Sequence, residues 1–326
     1  MFFCSLRLLH SIPAVSDEIR YMHRYDGCIR REKVYGQKWL KLIYSSPLGK
    51  IPLWAAIKRA WFSNWYGRKM NRPESQEKIS GFIREFDLDE TEFASPANSF
   101  ASFNDFFSRK LKAGARPICK EPETIAFPAD GRHLGFSNLA ETSSIFVKGQ
   151  TFDLPSLFQS NELAKPYLRG SLVISRLCPV DYHRFHFPVQ GHASQPKLIN
   201  GFLYSVNPLA LRKKISIFWQ NKRFLSFIDT KNGGRVAQFL VGATCVGSVS
   251  FASDFPRAVS KGDEFGYFSF GGSSVLTLFE EGKVSLSPDL LKNSSEGIEL
   301  YAKMGDQMGS WIQGSDSLLA QNGGGK

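Results

Sequence analysis

Several things that would have narrowed the role of this chain at once are missing from it. No stretch of its 326 residues reaches the ~18 consecutive apolar residues of a membrane-spanning helix. The five cysteines, Cys4, Cys28, Cys119, Cys178 and Cys245, are scattered and odd in number, with no Cys-x-x-Cys. That argues against a disulfide scaffold or a structural zinc site and for a reducing compartment with buried or free thiols. There is no Lys/Arg-Gly-Phe-Gly-Phe signature and no zinc-finger spacing, so nucleic acid is not the expected partner. No Gly-x-Ser-x-Gly elbow occurs, which weakens a serine-hydrolase reading. Acidic side chains are also short: 30 Asp and Glu face 41 Lys and Arg, a net charge of +11.

What is present fits a folded globular protein with a sizeable core. Hydrophobic residues make up 42% and charged ones 22%, and 28 phenylalanines raise the aromatic content. With nucleic acid set aside, the basic balance points to an anionic membrane surface. Met1 to Val15 is apolar and contains Arg7, but it has a short apolar core and no clear cleavage site, so it reads as an ordinary N-terminus. Residues 1–116 read as a helical, basic, membrane-associating region. Apolar side chains recur at helical spacing in Lys38–Tyr44, Leu53–Lys69 and Lys78–Phe86. In the second of these, Trp54, Ile57, Trp61 and Trp65 fall on one face, with Lys58, Arg59, Arg68 and Lys69 nearby. Indole with Lys or Arg suits an interfacial helix, although packing on the protein's own core explains the pattern equally. Asn104 or Asp105 is expected to cap a short helix that Gly114 and Pro117 end.

Beyond residue 116 the texture changes. Short apolar, β-rich runs are separated by Gly, Pro, Asn and Asp: 125–127, 145–147, 172–175, 236–241, 245–251, 264–270 and 275–279. The expected class is α+β, with N-terminal helices, a β-rich core over 117–313 and a flexible tail over 314–326.

Three places in the β part could carry chemistry. Asp130, in Phe127-Pro128-Ala129-Asp130-Gly131, has the setting of a turn residue. His183 and His186, two of six histidines, lie three apart in Pro179-Val180-Asp181-Tyr182-His183-Arg184-Phe185-His186-Phe187-Pro188. No third ligand stands nearby to complete a metal site. Gly271-Gly272-Ser273-Ser274 separates two apolar runs and reads first as a β-turn. A serine after two glycines also has little steric cover, so the Ser273 hydroxyl can approach the Gly272 carbonyl. Asp, His and Ser together are the set that makes a serine nucleophilic.

Pro-Ala-Asp-Gly, then Asp-Tyr-His-Arg-Phe-His-Phe-Pro, then Gly-Tyr-Phe-Ser-Phe-Gly-Gly-Ser-Ser-Val resembles the phosphatidylserine decarboxylase family, in that order. Supporting segments are Phe106-Phe107-Ser108-Arg109-Lys110-Leu111-Lys112, Ala115-Arg116-Pro117, Val147–Gln150, Gly201–Pro208, Asn221-Lys222-Arg223 and Val241–Val249. The resemblance covers roughly residues 80–285. Two departures are visible: Gly271-Gly272-Ser273-Ser274 stands where the family has Leu-Gly-Ser-Thr, and Lys222 where it has Glu.

The resemblance implies a proenzyme that cuts itself between Gly272 and Ser273. Ser273 would attack the Gly272 carbonyl, with His186 as base and Asp130 orienting it. Ser273 would end as a pyruvoyl group (covalent pyruvate) capping a small α chain, 273–326, beside a large β chain, 1–272. That group would form a Schiff base with phosphatidylserine and yield phosphatidylethanolamine and CO2, with His183 serving decarboxylation. The family also implies a homodimer of processed protomers, peripheral on the cytoplasmic face of a bacterial inner membrane or, alternatively, on the mitochondrial inner membrane. Two other readings of the residues stay open: a Ser-His-Asp hydrolase on a β scaffold, and a non-catalytic membrane-binding β module.

Overall fold

The structure, a computed structural model, describes residues 18–33, 60–142, 145, 149–231, 234–243, 249–271 and 273–312. The segments Met1–Val15 and Lys38–Tyr44, Trp54, Ile57, the Trp61 side chain, Gly272 and the tail from 314 lie outside them.

Strand structure starts earlier than the helical reading of the N-terminal part implies. β1 (Arg20–His23) and β2 (Cys28–Arg31) form an antiparallel hairpin around a turn ending at Gly27, whose φ of +65° favours glycine. Three helices follow: α1 (Ala60–Met70), α2 (Lys78–Phe86) and α3 (Phe103–Phe107). In α2, Ile79, Phe82 and Ile83 recur on one face and are buried, and the helix ends where Asp87 turns left-handed. The cap of α3 is Ser102, whose hydroxyl accepts the Asp105 N–H at 3.2 Å, and not Asn104 or Asp105 as expected. The Asp105 carboxylate instead reaches back to the Ala101 N–H at 2.9 Å, which leaves the cap position to the serine. The helix stops at Phe107, well before Gly114. The helices share an aromatic-rich core of Phe82, Phe93, Phe100, Phe103, Phe106 and Phe107, and Phe270 from the distant β region joins it.

From Thr124 onward strands dominate: β3 (Thr124–Ala126), β4 (Gly131–Phe136), β5 (Ser171–Leu177), β6 (Arg184–His186), β7 (Gly191–Ala193), β8 (Lys197–Ile199), β9 (Arg223–Asp229), β10 (Arg235–Val241), β11 (Val249–Phe251), β12 (Arg257–Val259), β13 (Glu264–Phe268), β14 (Ser273–Phe279), β15 (Val284–Leu286), β16 (Glu299–Ala302) and β17 (Gln307–Trp311). The class is α+β, as expected, and no sheet closes into a barrel among the described residues. One large sheet runs β12-β7-β9-β10-β14-β5-β4-β16-β1-β2, with β8 on β9, and two three-stranded sheets run β11-β13-β6 and β15-β17-β3. Every pairing within the large sheet is antiparallel except β1 on β16.

Period-2 alternation assigns the faces of the large sheet. Leu276 and Leu278 of β14 join Leu172, Ile174 and Phe239 in a core capped by short helical segments around Leu157 and Phe218. Val275 and Phe279 point the other way, into a second core with Phe185, Phe265 and Phe268 of one small sheet and Ile125 and Met308 of the other. The strands β5 and β14 are buried along their whole length because both faces are covered.

The Gly271–Ser274 corner joins two strands, as expected, but those strands do not pair with each other. β13 pairs with β6 and β11, whereas β14 pairs with β10 and β5, so the segment crosses from a small sheet to the large one. Gly271 sits at φ +136°, where a side chain would be strained. Ser273 and Ser274 already belong to β14.

Candidate active site

Strand β14 places Ser273. Its main chain stands opposite Leu177 of β5, and Ser274 stands between Arg176 of β5 and Val241 of β10. Ser273 is fully buried and its Oγ has no hydrogen-bond partner. A buried hydroxyl without a partner costs stability, so its survival here calls for an explanation.

His183 reaches the same end of the sheet through Cys178, the residue after Leu177. The Cys178 carbonyl accepts the Asp181 N–H at 2.9 Å, and the Asp181 carboxylate accepts the Cys178 N–H at 2.6 Å, which closes the chain into a tight turn. His183 Nε2 lies 2.8 Å from that carbonyl. A carbonyl only accepts, so Nε2 carries the proton, and the neutral ring offers Nδ1 as a bare acceptor. Nδ1 is buried and unpartnered. The Phe107 ring stacks on the imidazole at 3.9 Å between centroids. Burial pushes the His183 pKa down to about 3; the Arg109 charge adds to this and the Cys178 carbonyl opposes it.

His186, at the end of β6, lies opposite Glu264. Its main-chain N–H donates to the Pro128 carbonyl at 2.7 Å, tying it to the turn that carries Asp130. Its Nδ1 is also buried without a partner. Burial, and secondarily Arg184, push its pKa down to about 4. Both histidines are therefore neutral at ordinary pH and able to take a proton.

Asp130 is buried and fully engaged. Arg116 Nε lies 2.9 Å from both carboxylate oxygens, Arg116 Nη2 2.6 Å from Oδ2, and the Met304 N–H donates to Oδ1 at 2.8 Å. Arg116 also donates to Glu92 at 2.9 Å, and Lys303 donates to Glu92 at 3.0 Å. Gly131 beside it packs on the backbone of β5: a Cβ there would fall 2.5 Å from the Arg176 carbonyl oxygen, so only glycine fits.

Asp130 and Ser273 thus flank the C-terminal end of β5, roughly 10 Å apart by the usual strand spacing. His183 joins them through Cys178, and His186 through Pro128. No hydrogen bond links Asp130, His186 and Ser273 to one another: the carboxylate is held by Arg116, and the other two polar atoms are free. The pre-assembled Ser-His-Asp relay of a hydrolase is not formed. Among the described residues there is also no group of three or more His, Cys, Asp or Glu suited to a metal.

Sequence reasoning assigned no role to Arg116 or Arg109, although both stand in the segments that carry the resemblance. Gln238, whose Nε2 donates to the His186 carbonyl at 3.2 Å, had no signal at all. Neither did the network on the other sheet face, where Arg176 binds Glu299 and Glu32, and Arg132 binds Asp181.

A sequence model of phosphatidylserine decarboxylase matches residues 103–310 of the chain. This chain belongs to the phosphatidylserine decarboxylase family. It is 45% identical to a phosphatidylserine decarboxylase proenzyme from Fusobacterium nucleatum, over 90% of this chain and 98% of that protein. Proenzymes of the same name from Clostridium novyi and Chlamydia muridarum are 41% and 40% identical, each again over 90% of this chain, covering 99% and 98% of their own lengths. Membership makes the chain a carboxy-lyase. The matched region of this decarboxylase holds Arg109, Arg116, Asp130, His183, His186 and Ser273 together.

Proposed function

We propose that this decarboxylase converts phosphatidylserine to phosphatidylethanolamine and CO2 through a pyruvoyl group, which Ser273 becomes when the chain cuts itself after Gly272. The observation that carries this reading is the Ser273 hydroxyl, buried without a partner at the head of a central strand, at the sheet end where His183 also lies. Ser274 and Thr277 of the same strand also keep buried hydroxyls without partners, but Ser273 is the one that follows Gly272 directly. Once formed, the pyruvoyl group supplies a carbonyl for the substrate amine and a conjugated sink for the electron pair left by CO2.

In maturation Ser273 Oγ attacks the Gly272 carbonyl carbon. The C–N bond breaks as the ester C–O bond forms, and the hydroxyl proton passes through an imidazole to the departing nitrogen. Loss of the Ser273 Cα proton then breaks the ester Cβ–O bond, freeing Gly272 as a carboxylate and leaving dehydroalanine, whose imine form takes up water and releases ammonia to give the pyruvoyl group. His186 is the proposed base: its pKa of about 4 leaves it neutral, and its Nδ1 is free. Arg116 binds the Asp130 carboxylate, and the Pro128 link holds the Asp130 turn against His186. In turnover His183 is the proposed proton carrier, because its Nδ1 lone pair is the one ring position not committed to Cys178.

One observation favours a second division of labour. His183, and not His186, is tied to the residue that follows Leu177, the cross-strand partner of Ser273. On that reading His183 serves maturation as well.

The helical part is the proposed membrane-associating region. Trp65 of α1 is half exposed, with Lys69 Nζ 5.9 Å from its ring centroid, while Tyr66 stacks on Phe270 at 5.7 Å. This supports an interfacial helix that ends beside the site. No helix among the described residues is long and apolar enough to cross a membrane. Peripheral attachment to the cytoplasmic face of a bacterial inner membrane completes the reading.

Denaturing electrophoresis with intact mass tests the core of it. Active protein resolves into chains 1–272 and 273–326, the smaller one blocked at its N-terminus. A single intact chain that still releases CO2 from phosphatidylserine would sink the proposal.

A further inference from the structure

Arg109 is the buried charge that the chemistry above leaves unused. It follows α3, is 5% exposed, and is clamped between the rings of Phe93 and Phe106, its guanidinium carbon 4.9 Å from each centroid. Neither Nε nor Nη1 has a hydrogen-bond partner. A buried guanidinium almost always has its fork filled, because the cost of stripping water from it is otherwise uncompensated. Cation–π contact offsets part of that cost but leaves the in-plane N–H groups empty.

Its position is specific. Phe107, two residues earlier, stacks on His183, and the Arg109 carbonyl accepts from Arg184 Nε at 3.3 Å, one residue beyond His183. Desolvation lowers the Arg109 pKa to about 10, still charged at neutral pH, with the nearby carboxylates of Asp130 and Asp181 pulling the other way. Phe270, three residues before Ser273, belongs to the same aromatic cluster and packs on Phe103 and Phe107. Cleavage after Gly272 would leave Phe270 two residues from a free chain end, next to the cluster that holds Arg109.

We propose that Arg109 binds the phosphodiester of the substrate headgroup, its unpartnered Nε and Nη1 groups donating to phosphate oxygens. This rests on the decarboxylase reading above. Phosphatidylserine offers two anions, and the chemistry selects between them. A guanidinium on the carboxylate would stabilise the charge that must leave as CO2, holding down the ground state more than the transition state. The phosphodiester keeps its charge throughout, so an arginine there binds substrate and transition state alike, and its planar fork matches phosphate oxygens. Arg109 is therefore a binding residue that acts on KM.

The test uses mature enzyme with phosphatidylserine in mixed detergent micelles, comparing wild type, Arg109→Gln and Arg109→Lys. Both variants are expected to cut themselves into two chains. For Arg109→Gln, KM rises roughly ten- to a hundredfold, as befits loss of hydrogen bonds to a charged group, while kcat stays within about threefold. Arg109→Lys recovers part of the loss, keeping charge without the fork. Glycerophosphoethanolamine, which has the phosphodiester but no carboxylate, separates the two anions: its inhibition of wild type weakens in Arg109→Gln by the same factor as KM rises. If kcat falls at constant KM, or inhibition by that probe is unchanged, the assignment is overturned. If Arg109→Gln stays uncut, Arg109→Lys decides, and an unchanged KM in it sinks the inference. Wild-type protein that releases no CO2 overturns the parent reading and this one together, an outcome the variants alone cannot produce.

Discussion

Two buried polar regions lie back to back across the same strands, and they are built oppositely. On one face of the large sheet Arg176 gives Nε and Nη2 to Glu299 at 2.8 and 2.6 Å and Nη2 to Glu32 at 2.6 Å, while Arg132 gives Nη1 to both oxygens of Asp181. Arg132 also stacks on Tyr21 and Tyr301, 4.8 and 5.2 Å from their centroids. On the other side, Ser273 Oγ, the Nδ1 atoms of His183 and His186, and Gln238 Oε1 are buried with nothing to bind. The first region is a paired ionic network whose members specify how strands separated by more than a hundred residues meet. The second holds neutral groups with spare valence, which is what a site needs when its partners arrive later or are made from its own backbone. Both regions are buried and polar; ion pairs dominate the first, although Arg132 Nε lacks a hydrogen bond there, and neutral groups without partners dominate the second.

The sharpest way to test this contrast is Ser273→Ala. It should abolish both chain cleavage and CO2 release, read by gel and by labelled carboxylate, while thermal stability holds or rises because an unsatisfied hydroxyl is removed. A marked loss of stability would mean the hydroxyl has a structural partner. Next come the histidines. Replacing the maturation base with alanine should slow cleavage by roughly 10²–10⁴-fold, the usual range for a general base. Comparing His186→Ala with His183→Ala by the rate of chain separation decides between the two divisions of labour. The opposite region should respond in stability. Glu32→Gln leaves Arg176 and Arg132 short of a buried counter-charge, which typically costs about 3–5 kcal/mol. Urea denaturation reads this, and a loss below about 1 kcal/mol would deny the network its role.

A further test of the contrast is with pH. His133, His183 and His186 are held neutral, burial pushing them from an ordinary 6.5 to about 3, 3 and 4. Between these values the unfolded chain binds more protons than the folded one, so stability rises with pH across this window and is lost as pH falls from 6.5 toward 4. Each imidazole contributes a slope of up to about 1.4 kcal/mol per pH unit. Cleavage, in contrast, should stay flat above pH 5 and decline only near 4, where His186 takes a proton. A cleavage midpoint near 6.5 would mean the base is solvated.

The candidate residues stand out in the sequence, because Ser273, Asp130 and the histidine pair sit in short contiguous motifs whose residue types belong to one chemistry. The strand runs around 172–175, 236–241 and 275–279 were legible for a similar reason: apolar density on two-sided strands is a local signal. What the residues conceal is pairing at a distance. The Gly-Gly-Ser-Ser corner reads as a β-turn without revealing that it crosses between sheets, because a turn and such a crossing need the same glycines. Arg116 takes hold of Asp130 from 14 positions away, and Glu32 meets Arg176 from 144 positions away, with no local pattern to announce either. The Ser102 cap was overshadowed by Asn104 and Asp105, equally good capping types, and only the backbone distinguishes them.

The place of β14 has one more consequence. Among the described residues, three of the four strands after Gly272 pair with strands that precede it: β14 lies between β10 and β5, β16 between β4 and β1, and β17 joins β3, while β15 pairs only with β17. Severing the chain at Gly272 therefore separates the two pieces only on paper. The short fragment is woven into three seams of the long one, and it cannot leave without unravelling the sheet it helps to make. The proposed self-cleavage would change a covalent end and leave the body standing, so the two halves, expressed apart, should recover activity only if they fold in each other's presence.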